Sequence, residues 1–123
     1  MARVRSFVAL ALLALVGEGC MWNPAPRVEH GGQVRLRHEA PPGTAVSVVG
    51  DFNGWTAGLD PLHEVGPGQY EATLRLGPGA HIYAFAQVSS DGGVQVVVPE
   101  AAPSYIDDDL GSRDGVLQIP GER

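Results

Sequence analysis

The chain has no lysine, and Cys20 is its only cysteine among 123 residues. A lone thiol excludes a disulfide-stapled scaffold. Its eight basic residues are all arginine and face fourteen acidic ones, giving a net charge of −6. A dedicated nucleic-acid reader is excluded with them, because counterion release requires abundant clustered positive charge. The longest apolar run, Phe7 to Val16, covers ten residues, whereas a spanning helix needs about twenty. His30, His38, His63 and His81 follow no zinc-site spacing, and no phosphate-binding loop, dinucleotide fingerprint or nucleophile elbow is present. Asp107-Asp108-Asp109 lacks the alternating ligand positions of a calcium loop and reads as a solvated acidic turn. Paired carboxylates for glycoside hydrolysis need a cleft that so small a domain can hardly build. The expectation is a non-enzyme with no metal and no cofactor.

The amino terminus reads as an address. Arg3 and Arg5 precede the FVALALLALV run, which has the length of a signal-peptide core. Gly17-Glu18-Gly19-Cys20 follows, and a hydrophobic run ending at a small residue and cysteine resembles a bacterial lipoprotein signal. The positions three and two before the cysteine hold Gly17 and Glu18 instead of leucine and a small neutral residue. Gly17 and Gly19 also suit an ordinary signal peptidase. The resemblance implies export, a lipid on Cys20, membrane attachment through that lipid, and a place in the cell envelope. Residues 1–19 are then the signal and 20–32 a tether, since Met21 to Gly32 carries two prolines and a Gly-Gly pair with no period. Trp22 stands close behind the expected lipid, where indole is favoured at a membrane interface.

With 17 glycines and 10 prolines but no collagen period, the remainder is a succession of short strands and turns. Val34 to Arg37 and Gln69 to Leu76 alternate apolar and polar residues, the period of a half-buried strand. Ala45 to Gly50, Leu62 to Val65, His81 to Ser89, Val94 to Val98 and Val116 to Ile119 are further strands. Gly66-Pro67-Gly68, Gly77-Pro78-Gly79 and the Asp91-Gly92-Gly93 hairpin signal punctuate them. About seven short strands, with a turn signal every eight to twelve residues, predict an all-β antiparallel sandwich over residues 33–120. Its expected core is Val34, Leu36, Val46, Val48, Phe52, Tyr70, Leu74, Leu76, Tyr83, Phe85 and Leu117.

Val46-Ser47-Val48-Val49-Gly50-Asp51-Phe52-Asn53-Gly54-Trp55 resembles the V-x-L-x-G-x-F-N-x-W signature of early-set immunoglobulin-like domains. These include the glycogen-binding domain of AMP-activated kinase β subunits and the family 48 carbohydrate-binding modules of isoamylases and branching enzymes. Gly68-Gln69-Tyr70, Leu74-Arg75-Leu76, Tyr83-Ala84-Phe85, Asp91-Gly92 and Leu117-Gln118-Ile119 follow in the family's order. The resemblance runs from about residue 33 to 119 and implies an early-set immunoglobulin-like sandwich that binds glucan-like carbohydrate of the glycogen or starch type. In that family two tryptophans stack on sugar faces, a lysine meets hydroxyls, and a threonine and an asparagine complete the site. Trp55 stands at the first tryptophan and Asn53 beside it. Ala84 replaces the lysine, and the second tryptophan falls near Val94. Ser112 stands for the threonine, and Gly115 with neighbouring Asp114 for the asparagine. The expected sugar-binding residues are Trp55, Asn53, Ser112 and Asp114.

A second expectation comes from His81 to Ser89, which is apolar on both faces once Tyr83 and Phe85 point inward. Ile82, Ala84, Ala86 and Val88 then face outward and call for a cover. An envelope protein, another copy, or the segment Asp91 to Pro103 folding back would supply it. A protein-interaction or packing module with the sugar site lost is the alternative function.

Overall fold

The computed structural model describes residues 22–109 and 111–121, so the expected signal segment and Cys20 lie outside the described residues. Among the described residues ten strands occur in chain order: β1 (Arg27–Val28), β2 (Gln33–Glu39), β3 (Ala45–Gly50), β4 (Asp60–Pro61), β5 (His63–Gly66), β6 (Gln69–Arg75), β7 (Gly79–Val88), β8 (Val94–Val97), β9 (Ser104–Asp107) and β10 (Arg113–Ile119). They form two antiparallel sheets, one ordered β1-β2-β6-β5 and the other β4-β3-β7-β10-β9, with β8 paired to β7 beyond the end of β10. The all-β sandwich expected from the alternation is what the chain builds.

Alternation decides which side chains meet between the sheets. On β2, Val34, Leu36 and His38 are buried while Gln33, Arg35, Arg37 and Glu39 point out. Val46 and Val48 of β3, Tyr83 and Phe85 of β7, and Leu117 and Ile119 of β10 oppose them, while Tyr70 of β6 lies beside His38 in the same sheet as β2. Phe52 and Leu74, expected fully inside, are partly buried at the margin of this core. The polar members are bonded rather than orphaned. His38 stacks on Phe85 at 4.5 Å between centroids and its Nε2 meets Gln87 Oε1 at 2.7 Å. Tyr70 Oη donates to Pro41 O and accepts from Thr44 N, closing the crossover from β2 to β3.

Three strands were not legible from alternation. Two-residue β1 lies inside the segment expected as tether and pairs Arg27 with Arg35 and Val28 with Val34, so the sheet begins before residue 33. Two-residue β4 pairs with β3, and β9 adds an edge beside β10.

Candidate functional site

The site grows out of the end of β3. Gly50 must lack a side chain: a Cβ there would stand 2.5 Å from both the Ile82 carbonyl oxygen and the Phe52 ring. The chain turns at once, with Asn53 N and Trp55 N both donating to Gly50 O. The Asn53 carboxamide fastens the turn. Its Oδ1 accepts from Gly50 N at 3.1 Å, and its Nδ2 donates to Val48 O at 3.0 Å and to Asp60 Oδ2 at 2.7 Å. Trp55 leaves this turn with a φ of 57°, the one described non-glycine residue with positive φ, and its side chain remains 44% exposed. A bulky residue in the left-handed region is strained and persists only where its surroundings fix it. The loop then returns over β3, where Gly58 N donates to Ser47 Oγ at 2.9 Å.

Ser47 faces away from the main core, since its neighbours Val46 and Val48 face into it. The loop therefore lies on the outer face of the larger sheet. Register places Ser47 opposite Ala86 and Val49 opposite Ala84, and Val49, Ala84 and Ala86 form a second small buried cluster there. The two alanines that alternation turns outward are thus covered within the chain, both at 0% exposure, while Ile82 and Val88 are half-buried. The segment Asp91 to Pro103 divides between the two faces, for β8 sets Val96 opposite Ala86 and Val94 opposite Val88 on the outer one. Pro99 and Ala102 approach Gly115 from the inner side, next to Tyr83, with Tyr105 Oη donating to Pro99 O and accepting from Ala102 N. What stays exposed on the outer face is Trp55, Leu59, Val94, Val96 and Ile106.

Register also locates the other expected sugar contacts. Gly50, Tyr83, Gly115 and Tyr105 form one row across β3, β7, β10 and β9. Asp114, next to Gly115, faces outward opposite Ile106. It stands on the same face as the Trp55 loop, two strand steps of roughly 4.8 Å from Gly50's row position. Desolvation, followed by the Asp108 charge, holds the Asp114 carboxyl above the usual carboxylate range. Ser112 sits in the exposed turn before β10, where its N–H donates to Asp108 Oδ1 and its carbonyl accepts from Asp108 N. Asn53 commits both amide hydrogens, one to Val48 O on β3 and one to Asp60 Oδ2, which makes it a positioning residue. Sequence reading passed over Ser47 and Asp60, the two anchors of the loop. A single polar residue inside the apolar run Val46 to Val49 was the available signal for Ser47.

The carbohydrate-binding module 48 (isoamylase N-terminal domain) profile matches residues 19–102. The chain belongs to this family. A 1,4-alpha-glucan branching enzyme, GlgB, of Corynebacterium jeikeium (strain K411) is 37% identical over 83 residues, which cover 63% of this chain and 12% of that enzyme. The chain thus aligns with a small part of that relative. The family match contains Asn53 and Trp55 and stops before β9 and β10, so Ser112 and Asp114 lie beyond it.

Proposed function

We propose that the chain is a non-catalytic module for glucan-like carbohydrate, displayed at a bacterial cell envelope through a lipid on Cys20, with Trp55 as its sugar platform. The observation that carries the reading is an exposed indole held in left-handed backbone by a loop fastened at Asn53, Asp60 and Ser47. A pyranose face presents polarised C–H groups to the electron-rich indole, and a rigid platform lowers the ordering cost of binding. Asp114 provides an acceptor for sugar hydroxyls on the same face, while Ala84 and Val94 leave that face poorer in polar contacts. Weak binding of a long, repetitive chain follows from that composition. The name of the Corynebacterium relative points to 1,4-linked α-glucan as the first ligand to try.

Affinity electrophoresis in gels containing glycogen, amylose or a β-glucan tests the reading, with Trp55→Ala alongside. Retardation in the α-glucan gels that vanishes in the variant supports it, and equal mobility in every gel rejects it. The second reading, a protein-packing module, draws on exposed Val94, Val96 and Ile106 along the same face. It predicts unretarded migration in all gels together with association that Val96→Asp abolishes.

A further inference from the structure

The opposite face of the sandwich gathers the positive charge that the chain as a whole lacks. Arg27, Arg35, Arg37 and Arg75, half of the eight arginines, lie on the smaller sheet in a protein of net charge −6. Arg27 and Arg35 are direct cross-strand partners, an arrangement that is destabilising for like charges unless something offsets it. The carboxylates nearby offset it only in part. Glu71 Oε2 accepts from Arg37 Nε at 2.9 Å but stays 3.8 Å from Arg35 Nε, and Glu29 Oε2 stays 3.6 Å from Arg35 Nη2. Among the described residues, Arg27 has no carboxylate partner, and neither Arg27 nor Arg35 spends a guanidinium donor on a hydrogen bond. Arg37, by contrast, is fixed, stacking on Trp22 at 4.9 Å and donating to Asn23 O.

Arg27, Arg35 and Arg37 line one concavity of about 350 Å³ together with Asn23, Ala25, Pro26 and Val28. That volume lies within the usual range of small-ligand sites. We infer that this concavity is a binding site for a phosphate-class oxyanion, with Arg27 and Arg35 supplying the free donors and Arg37 the fixed wall. Guanidinium donors match the oxygens of a phosphate in forked, charge-assisted pairs. An anion seated there also removes the repulsion across the Arg27–Arg35 pair. The site stands apart from the Trp55 face and does not depend on the glucan reading. Its neighbour Trp22 follows Cys20 by two residues, so a phospholipid headgroup and a free phosphate group are the two sources of the same chemistry.

The test is a titration of the full chain with inorganic phosphate, read on the arginine Nε–Hε resonances. Parallel sedimentation uses vesicles of phosphatidylcholine alone or mixed with phosphatidylglycerol. Phosphate should shift Arg27 and Arg35 saturably, and Arg27→Gln and Arg35→Gln should each weaken it about tenfold, the value of one charge-assisted contact. Arg113→Gln, on the other sheet, should leave the titration unchanged, and all three variants should retain the parent's circular dichroism. Preference for the anionic vesicles with the same arginine dependence assigns a headgroup, and no preference beside a normal phosphate titration assigns a free phosphate. Absent or non-saturating shifts, or shifts that persist in both variants, overturn the inference. Vesicle binding that both variants retain also counts against it.

Discussion

Replacing Asn53 with alanine removes three hydrogen bonds at one stroke and thereby tests the claim that this residue builds the platform. The lost bonds are the acceptor for Gly50 N and the donors to Val48 O and Asp60 Oδ2. Two are neutral, at about 0.5–1.5 kcal/mol each, and the one to the carboxylate contributes about 1.5–3 kcal/mol. The groups are only partly buried, so water recovers some of this, and the expected loss is about 2–4 kcal/mol. For a domain of this size that corresponds to a fall in Tm of roughly 10–20 °C. Denaturant titration of Asn53→Ala should show a lower midpoint with an unchanged slope, which identifies a change in stability and not in the exposed surface. Asn53→Asp sharpens the test. It retains the acceptor for Gly50 N but sets a second carboxylate where the amide met Asp60 at 2.7 Å, and two carboxylates that close cannot both ionise. It should be at least as destabilised as the alanine variant at neutral pH and recover as acid lets the pair share a proton. A loss below about 1 kcal/mol in Asn53→Ala would refute the reasoning, because one net hydrogen bond could account for it.

Three further predictions follow from the same geometry. Trp55→Gly should be more stable than Trp55→Ala by roughly 0.5–1 kcal/mol in denaturant titrations, since glycine accepts the left-handed backbone that alanine resists, while both lose glucan retardation. Gly115→Ala should destabilise by about 1–3 kcal/mol, because its Cβ would stand 2.8 Å from the Tyr83 ring, 2.9 Å from Ala102 and 3.0 Å from Pro99; thermal melts check it. Glu64 accepts from Gly68 N and, at longer range, from Gly43 N, and the Gly68 contact leads in holding its carboxyl below the ordinary 4.5. A depressed folded-state value means that the ionised group stabilises the fold above about 4.5 and that this contribution is lost as pH falls through the folded value. Stability measured against pH should therefore be flatter over that acid window in Glu64→Gln.

The parts of the fold that the sequence displays are those set by local alternation. β2 and β6 show a clean period of two because one face of each meets the core and the other meets water. β1 and β4 are two residues long and cannot display a period, and β9 follows Pro103 and ends on Asp107, the first of three aspartates that suggest a turn. The site divides in the same manner. Trp55 stands out as an exposed aromatic in a specific signature, but the return of its loop over β3 rests on a hydrogen bond from Gly58 N to Ser47 Oγ, eleven residues away. Nothing local in the sequence announces such a contact. Asn53 stands among the expected sugar-binding residues, and its bonds run back to Val48 and forward to Asp60, a pairing only the folded turn creates. The arginine face is equally hidden, since Arg27 joins Arg35 and Arg37 only through the pairing of β1 with β2.

The central claim is that Trp55 is a fixed sugar platform, and titrating the chain with a linear malto-oligosaccharide while following the Trp55 indole N–H resonance tests it most directly. A Trp22→Phe background leaves Trp55 as the only indole, because the chain has two tryptophans. The account predicts a saturable shift of that resonance, accompanied by neighbours on the outer face such as Val49, Val96 and Asp114 and by no change at Arg35 or Arg37. An indole resonance that stays in place up to millimolar oligosaccharide, or shifts confined to the arginine face, would contradict it.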